Sequence, residues 1–171
     1  MLEDKVGEAE EIFFRYAFPC TGDLLDIRAI SEEDYRKMER YAKRGETPRR
    51  QELERIYKNA IRRMKIVAGE LKKPLWDLNV VREYFLRRHN EFIDNGEGAY
   101  KDAPHSIREL CKVRIGKVVG KEVRKEENNR IIIYVVEYEG KKERIIGNYC
   151  PYAEIGDRIS FHWKTAIEKI E

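Results

Sequence analysis

The chain reads as an α+β protein, an α-helical domain over residues 1–105 followed by a small β domain over residues 111–171. Three observations carry that reading. Apolar residues recur at three- and four-residue steps through the first two-thirds of the chain. The period drops to two after Leu110, and short β-branched segments separated by turn residues fill what remains. Short strands packed into about sixty residues predict a small barrel, and an OB-like barrel is the obvious candidate.

The helical elements follow in order. Leu2, Val6, Ala9, Ile12, Phe13 and Tyr16 form the first stripe, which Phe18-Pro19 ends. Ser31 followed by Glu32, Glu33 and Asp34 is an N-cap with acidic residues in the first turn, and Gly45 stops that helix. Thr47-Pro48 starts the clearest helix, with Leu53, Ile56, Tyr57, Ala60, Ile61, Met64, Val67, Ala68 and Leu71 on its core face and Pro74 as its stop. A fourth runs from about Asp77 to Asp94 and ends at Asn95-Gly96, and Ser106 is placed to cap one further turn into Leu110. The boundary between domains is expected between Pro104 and Leu110.

Beyond it Cys111, Val113 and Ile115 alternate with Lys112, Arg114 and Gly116, predicting a first strand that begins at Cys111. Asn128-Asn129 signals a turn before Ile131 to Val136, and Glu139-Gly140 turns into Lys141 to Ile146. Gly156-Asp157 precedes a further strand in which Ile159, Phe161 and Trp163 share the core face and His162 faces outward.

Composition narrows the function classes. Charged residues are 39% of the chain, against roughly 25% in typical globular proteins, and hydrophobic residues are 42%, enough for a core. The Lys, Arg and Glu excess points to adaptation to high temperature. Net charge is only +3, and from Cys111 onward thirteen Lys/Arg face ten Asp/Glu, too small an excess to indicate nucleic acid by itself. Three cysteines, Cys20, Cys111 and Cys150, at no metal-finger spacing argue for a reducing compartment. Met1 to Glu11 has no basic, then apolar, leader pattern, and no uncharged run approaches membrane-spanning length, so the expectation is a cytoplasmic protein without membrane contact. A phosphate-cradling Gly-rich loop, a GxSxG elbow and HExxH are all missing, which predicts a binding protein rather than an enzyme.

A family resemblance carried by the residues around them picks out two side chains. Cys111 supplies a soft sulfur and His162 an imidazole, a donor pair suited to iron or another transition metal. On alternation alone Cys111 is equally a small buried hydrophobe and His162 a solvated surface residue. Lys112 and Arg114 beside Cys111 would favour the thiolate, the form that binds metal.

CKVRIGKVV (Cys111 to Val119) and IGDRISFHWKTAIEKI (Ile155 to Ile170), in that order and separation, resemble the HypC/HupF chaperones of [NiFe]-hydrogenase maturation. Those begin Cys-Leu-Ala-Ile-Pro-Gly-Lys-Val and end Val-Gly-Asp-Tyr-Val-Leu-Val-His-Ala-Gly-Phe-Ala-Ile. Gly116 and Lys117 fall at the family's Gly-Lys offsets from its Cys, and Gly156, Asp157, Ala166 and Ile167 fall where the family has those residue types. The resemblance implies a chaperone or cofactor carrier in which Cys111 and His162 handle an Fe(CN)2CO precursor. Its implied partners are a HypD-type maturation protein and the hydrogenase large subunit. The chain departs from the family in three places: its Cys is internal, the family's Pro is Ile115, and the family's Gly-Phe is Lys164-Thr165. The resemblance covers about a third of the chain.

The alternative class is an OB-fold protein for single-stranded nucleic acid. Lys112, Arg114, Lys117, Lys121, Arg124 and Lys125 would track phosphates, and Tyr134, Tyr138, Phe161 and Trp163 would stack bases.

Overall fold

The computed structural model describes residues 6–171. Leu2, and the first five of the residues on which the Met1 to Glu11 leader reading rests, lie outside the described residues. The chain divides into two compact units, Met1–Phe92 and Ile93–Glu171. Helices fill the described part of the first unit and a closed five-stranded barrel dominates the second, the α+β class with an OB-like barrel.

In the first unit α1 is Glu8–Ala17, α2 Thr21–Asp26 and α3 Glu32–Arg44. The Ser31 hydroxyl caps α3 by accepting from the Asp34 N–H at 3.0 Å, and Gly45 at φ 66° ends it in the left-handed conformation that glycine adopts freely. The long helix expected from Pro48 is instead two, α4 (Arg50–Ile56) and α5 (Lys58–Leu71), with Arg49 rather than Thr47 at the N-cap. The break is Tyr57, at φ −100° and ψ 46°. Its hydroxyl meets Thr21 Oγ1 at 2.8 Å inside the core and its ring packs edge-on to Phe13 at 5.7 Å, contacts that replace helical continuity.

Asp77 caps the next helix by accepting from the Asn79 N–H at 2.8 Å. That helix runs as α6 (Leu78–Glu83), a π turn (Tyr84–Arg88) and α7 (His89–Asp94). The wider turn brings the consecutive residues Tyr84 and Phe85 into the core together. Phe13 is the hub, edge-on to Trp76 and Phe85 as well as Tyr57, while Tyr16 stacks on Phe85.

In the second unit α8 (His105–Cys111) precedes β1 (Arg114–Glu126), β2 (Asn129–Tyr138), β3 (Lys141–Ile146), β4 (Arg158–His162) and β5 (Thr165–Ile170). Cys111, expected to open the first strand, is therefore the last residue of a helix. The apolar spacing of Cys111, Val113 and Ile115 continues unbroken across a helix-to-strand junction. The barrel runs β1-β2-β3-β5-β4 and closes where β4 returns to pair antiparallel with β1. The β3–β5 pair is parallel, joining Ile146 to Thr165. A register shift between Val118 and Gly120 bends β1, which lets one strand serve two neighbours.

The interior holds Val118, Ile132, Tyr134, Val136, Ile145, Cys150, Ile159 and Phe161. Tyr134 lies across Gly147, where an added Cβ would sit 2.3 Å from its ring, and donates its hydroxyl to the Cys150 carbonyl at 2.7 Å. Burial pushes its phenol up to about 12. Among the described residues no helix is long and apolar enough to cross a membrane.

Candidate functional site

At one end of the barrel two tight hairpins, the C-terminal half of α8 and the start of β1 enclose a cleft of about 350 Å³. The β2–β3 hairpin turns at Glu139 and Gly140, at φ 48° and 72°. The β4–β5 hairpin turns at Trp163 and Lys164, at φ 49° and 54°. Two-residue hairpins of this hand need positive φ at both central positions, which Asn-Gly supplies at least cost. Here a Trp and a Lys accept it, and both side chains line the cleft. The Trp163 backbone N–H donates to the Leu110 carbonyl at 3.2 Å, tying the hairpin to the end of α8.

The floor is a packed stack of rings and charges. Tyr138 is edge-on to Phe161 at 5.0 Å, with the Arg114 guanidinium over its ring at 5.6 Å and the Lys141 ammonium at 5.9 Å. Its hydroxyl donates to Glu143 Oε2 at 2.6 Å, and burial together with that carboxylate pushes the phenol up to about 12. The same hydrogen bond, with Lys164 at 3.3 Å, holds Glu143 below the usual carboxylate range. Arg114 is clasped between Glu109 and Glu139, and Lys112 reaches Asp94 at 2.8 Å and Glu109 at 3.0 Å. The bond to Lys112 leads the lowering of Glu109, and the bond to Asp94 leads the raising of Lys112.

The residues expected to carry the chemistry are placed otherwise. Cys111 is 2% exposed and His162 1%, and neither lines the cleft. His162 is not on a solvent face. Every β4 residue but Arg158 is buried, so alternation of side-chain type there no longer reports exposure. Lys112 and Arg114 spend their charge on Asp94, Glu109 and Glu139.

The four residues supporting the resemblance all have structural duties or surface positions. A Cβ at Gly116 would meet Val136 Cγ1 at 2.4 Å and the Glu137 carbonyl at 2.9 Å, so only glycine lets β1 lie this close to β2. Gly156 turns at φ 101°, and Asp157 accepts from the Glu154 N–H at 2.9 Å to brace the same turn. That bond, with Lys169, holds the Asp157 carboxyl low. Lys117 is exposed on β1.

An Fe(CN)2CO fragment does not fit this arrangement. Its implied sulfur and imidazole ligands are both closed to solvent, and among the described residues no three His, Cys, Asp or Glu side chains gather as a metal-binding group. No step is derived through iron.

Part of the nucleic-acid set is likewise occupied, while Lys117 and Lys125 are exposed. Tyr134 and Phe161 lie in the barrel core and cannot stack bases. Lys121 bonds Glu154 at 2.7 Å and Arg124 bonds Glu122 at 2.6 Å. The cleft itself was not singled out in the sequence, because the two residues that shape it, Trp163 and Lys164, carry no turn signal. Compared with protein-family models, curated proteins and solved structures, the chain matches none.

Proposed function

We propose that the protein is a non-enzymatic binding protein of the HypC/HupF kind, a maturation chaperone that works through protein contacts rather than through its thiol. One observation supports the reading above others. The two sequence phrases that carry the resemblance lie on strands that pair directly, Gly116 opposite Ile159 and Lys117 opposite Arg158, in a barrel that closes at that seam. The shared residues thus serve a shared barrel. The chaperone half of the resemblance needs that barrel and a partner surface. The carrier half needs an accessible sulfur, and Cys111 is sealed.

Anaerobic co-expression with a HypD-type protein and a hydrogenase large-subunit precursor tests this. The expected result is a complex that forms equally with Cys111→Ala and carries no cyanide or carbonyl infrared bands that depend on Cys111. No complex, or bands that vanish in Cys111→Ala, would overturn it. Of the cations named for a nucleic-acid track, Lys112, Arg114, Lys121 and Arg124 are ion-paired, which weakens the field they offer to phosphates.

A further inference from the structure

We infer that the cleft at the barrel end is a docking site for an acidic peptide segment of a partner protein, gripped by the lysines of the two hairpin tips and by the Trp163 indole. The inference rests on reading the barrel as a protein-binding module and names the chemistry of the segment it takes.

The first argument is positive charge that gathers at the cleft, which five Lys and Arg side chains line against two carboxylates, Glu109 and Glu143. Lys112 and Arg114 at the floor are neutralised by carboxylates, and so are Lys121, Arg124 and Arg144 elsewhere on the barrel. Lys141 rests over the Tyr138 ring and has no carboxylate partner among the described residues. Lys142 is 64% exposed and reaches Glu137 at 3.9 Å, and Lys164, 56% exposed, pairs with Glu143 at 3.3 Å. The three lysines line one cleft with Glu143, which pairs with Lys164, and Glu109, which pairs with Lys112 and Arg114.

The second argument is an unmet donor. Trp163 walls the cleft, and its Nε1–H is buried with no hydrogen-bond acceptor among the described residues. Leaving such a group unsatisfied costs about 1–3 kcal/mol, which an acceptor brought by a ligand would recover after a small shift of the hairpin tip that opens the N–H. The third is backbone strain. Trp163 and Lys164 both hold left-handed conformations where Asn-Gly would sit without strain. All three features concern the same cleft.

The occupant follows from the chemistry. Carboxylates match the three ammonium groups, and a peptide also offers carbonyl and carboxylate acceptors to an indole N–H. A volume of about 350 Å³ takes a few side chains. A nucleic-acid strand would need ring faces and a continuing track of free cations. Here Arg114 and Lys141 sit over the Tyr138 ring, and Lys121 and Arg124 beyond the lip are paired.

The chain has two tryptophans, so its indole N–H region in a ¹⁵N-correlated NMR spectrum holds two signals, one from Trp76 and one from Trp163. A short Glu-rich peptide is titrated into the full-length protein, with a Lys-rich peptide, oligothymidylate and inorganic phosphate as comparisons. The expected result is a saturable downfield shift of the Trp163 signal alone, weakened by salt and by about tenfold or more in Lys141→Glu/Lys142→Glu. An unmoved Trp76 signal reports that the variant is folded. No shift, an equal shift with the Lys-rich peptide, a stronger response to oligothymidylate, or a full response to phosphate alone would each overturn the proposal. A maturation complex that forms undiminished with Lys141→Glu/Lys142→Glu would leave the chaperone reading intact and remove the cleft from it.

Discussion

Gly116 shows how little freedom single positions have in this barrel. A methyl group there would drive into the Val136 side chain and the Glu137 carbonyl, and the carbonyl belongs to the neighbouring strand's backbone and cannot step aside. Overpacking of this kind typically costs about 1–3 kcal/mol. Gly116→Ala is therefore expected to lower the urea midpoint by an amount in that range while Gly22→Ala, whose added Cβ meets nothing within 4 Å, changes it far less. Residue-level features with a local cause were legible in the sequence. Ser31 and Gly45 cap α3 because a hydroxyl and a glycine do that by local geometry alone. His162 was not legible, since its exposure depends on what covers β4, and nothing in Ile159 to Trp163 encodes that β4 is buried on both faces.

At the scale of elements, the sequence resolves those whose ends carry turn chemistry. Glu139-Gly140 announces the β2–β3 hairpin, and Asp77 announces α6. The β4–β5 hairpin is silent because Trp163-Lys164 has no turn residue, so the sequence does not mark off β5 as a strand of its own. The α4–α5 break is silent for the complementary reason. Tyr57 fits a helical stripe perfectly well, and only its distant partner Thr21 draws it out.

The hairpin gives a prediction. Lys164 sits at φ 54°, a conformation in which glycine has no side-chain clash. Lys164→Gly gives up an exposed ion pair with Glu143, worth little, and should stabilise the protein by roughly 0.5–1 kcal/mol net. Chemical denaturation with an unchanged slope checks it. A lower midpoint would show that the turn is not strained.

At the scale of the whole molecule, stability should have two pH limits. Glu109, Glu143 and Asp34 have folded pKa values below their ordinary 4.5, 4.5 and 3.8. Their contribution is complete above those ordinary values and declines as pH falls through the lowered folded ones. Tyr134 and Tyr138 are raised from 10.0 to about 12, so their contribution is complete below 10 and declines as pH rises toward 12. A plot of denaturation midpoint against pH should thus fall toward both its acid and its alkaline end. Glu143→Gln should lessen the acid slope by removing one of the titrating carboxylates. An acid limb unchanged by Glu143→Gln would refute the assignment.

The α+β class and the barrel were legible because periodicity reports secondary structure directly. The candidate site was not, because a cleft is made by residues far apart in sequence, here from α8 to the β4–β5 turn. The account places function on a surface and keeps Cys111 out of the chemistry, and thiol accessibility tests that most directly. Native protein is exposed to iodoacetamide for increasing times, and each cysteine is quantified by mass spectrometry. Cys111 and Cys150, at 2% and 0% exposure, are expected to stay unmodified until the protein is denatured, with the partly exposed Cys20 reacting first. Alkylation of Cys111 in the folded protein at the rate of a free thiol would contradict the account and return the sulfur to the site.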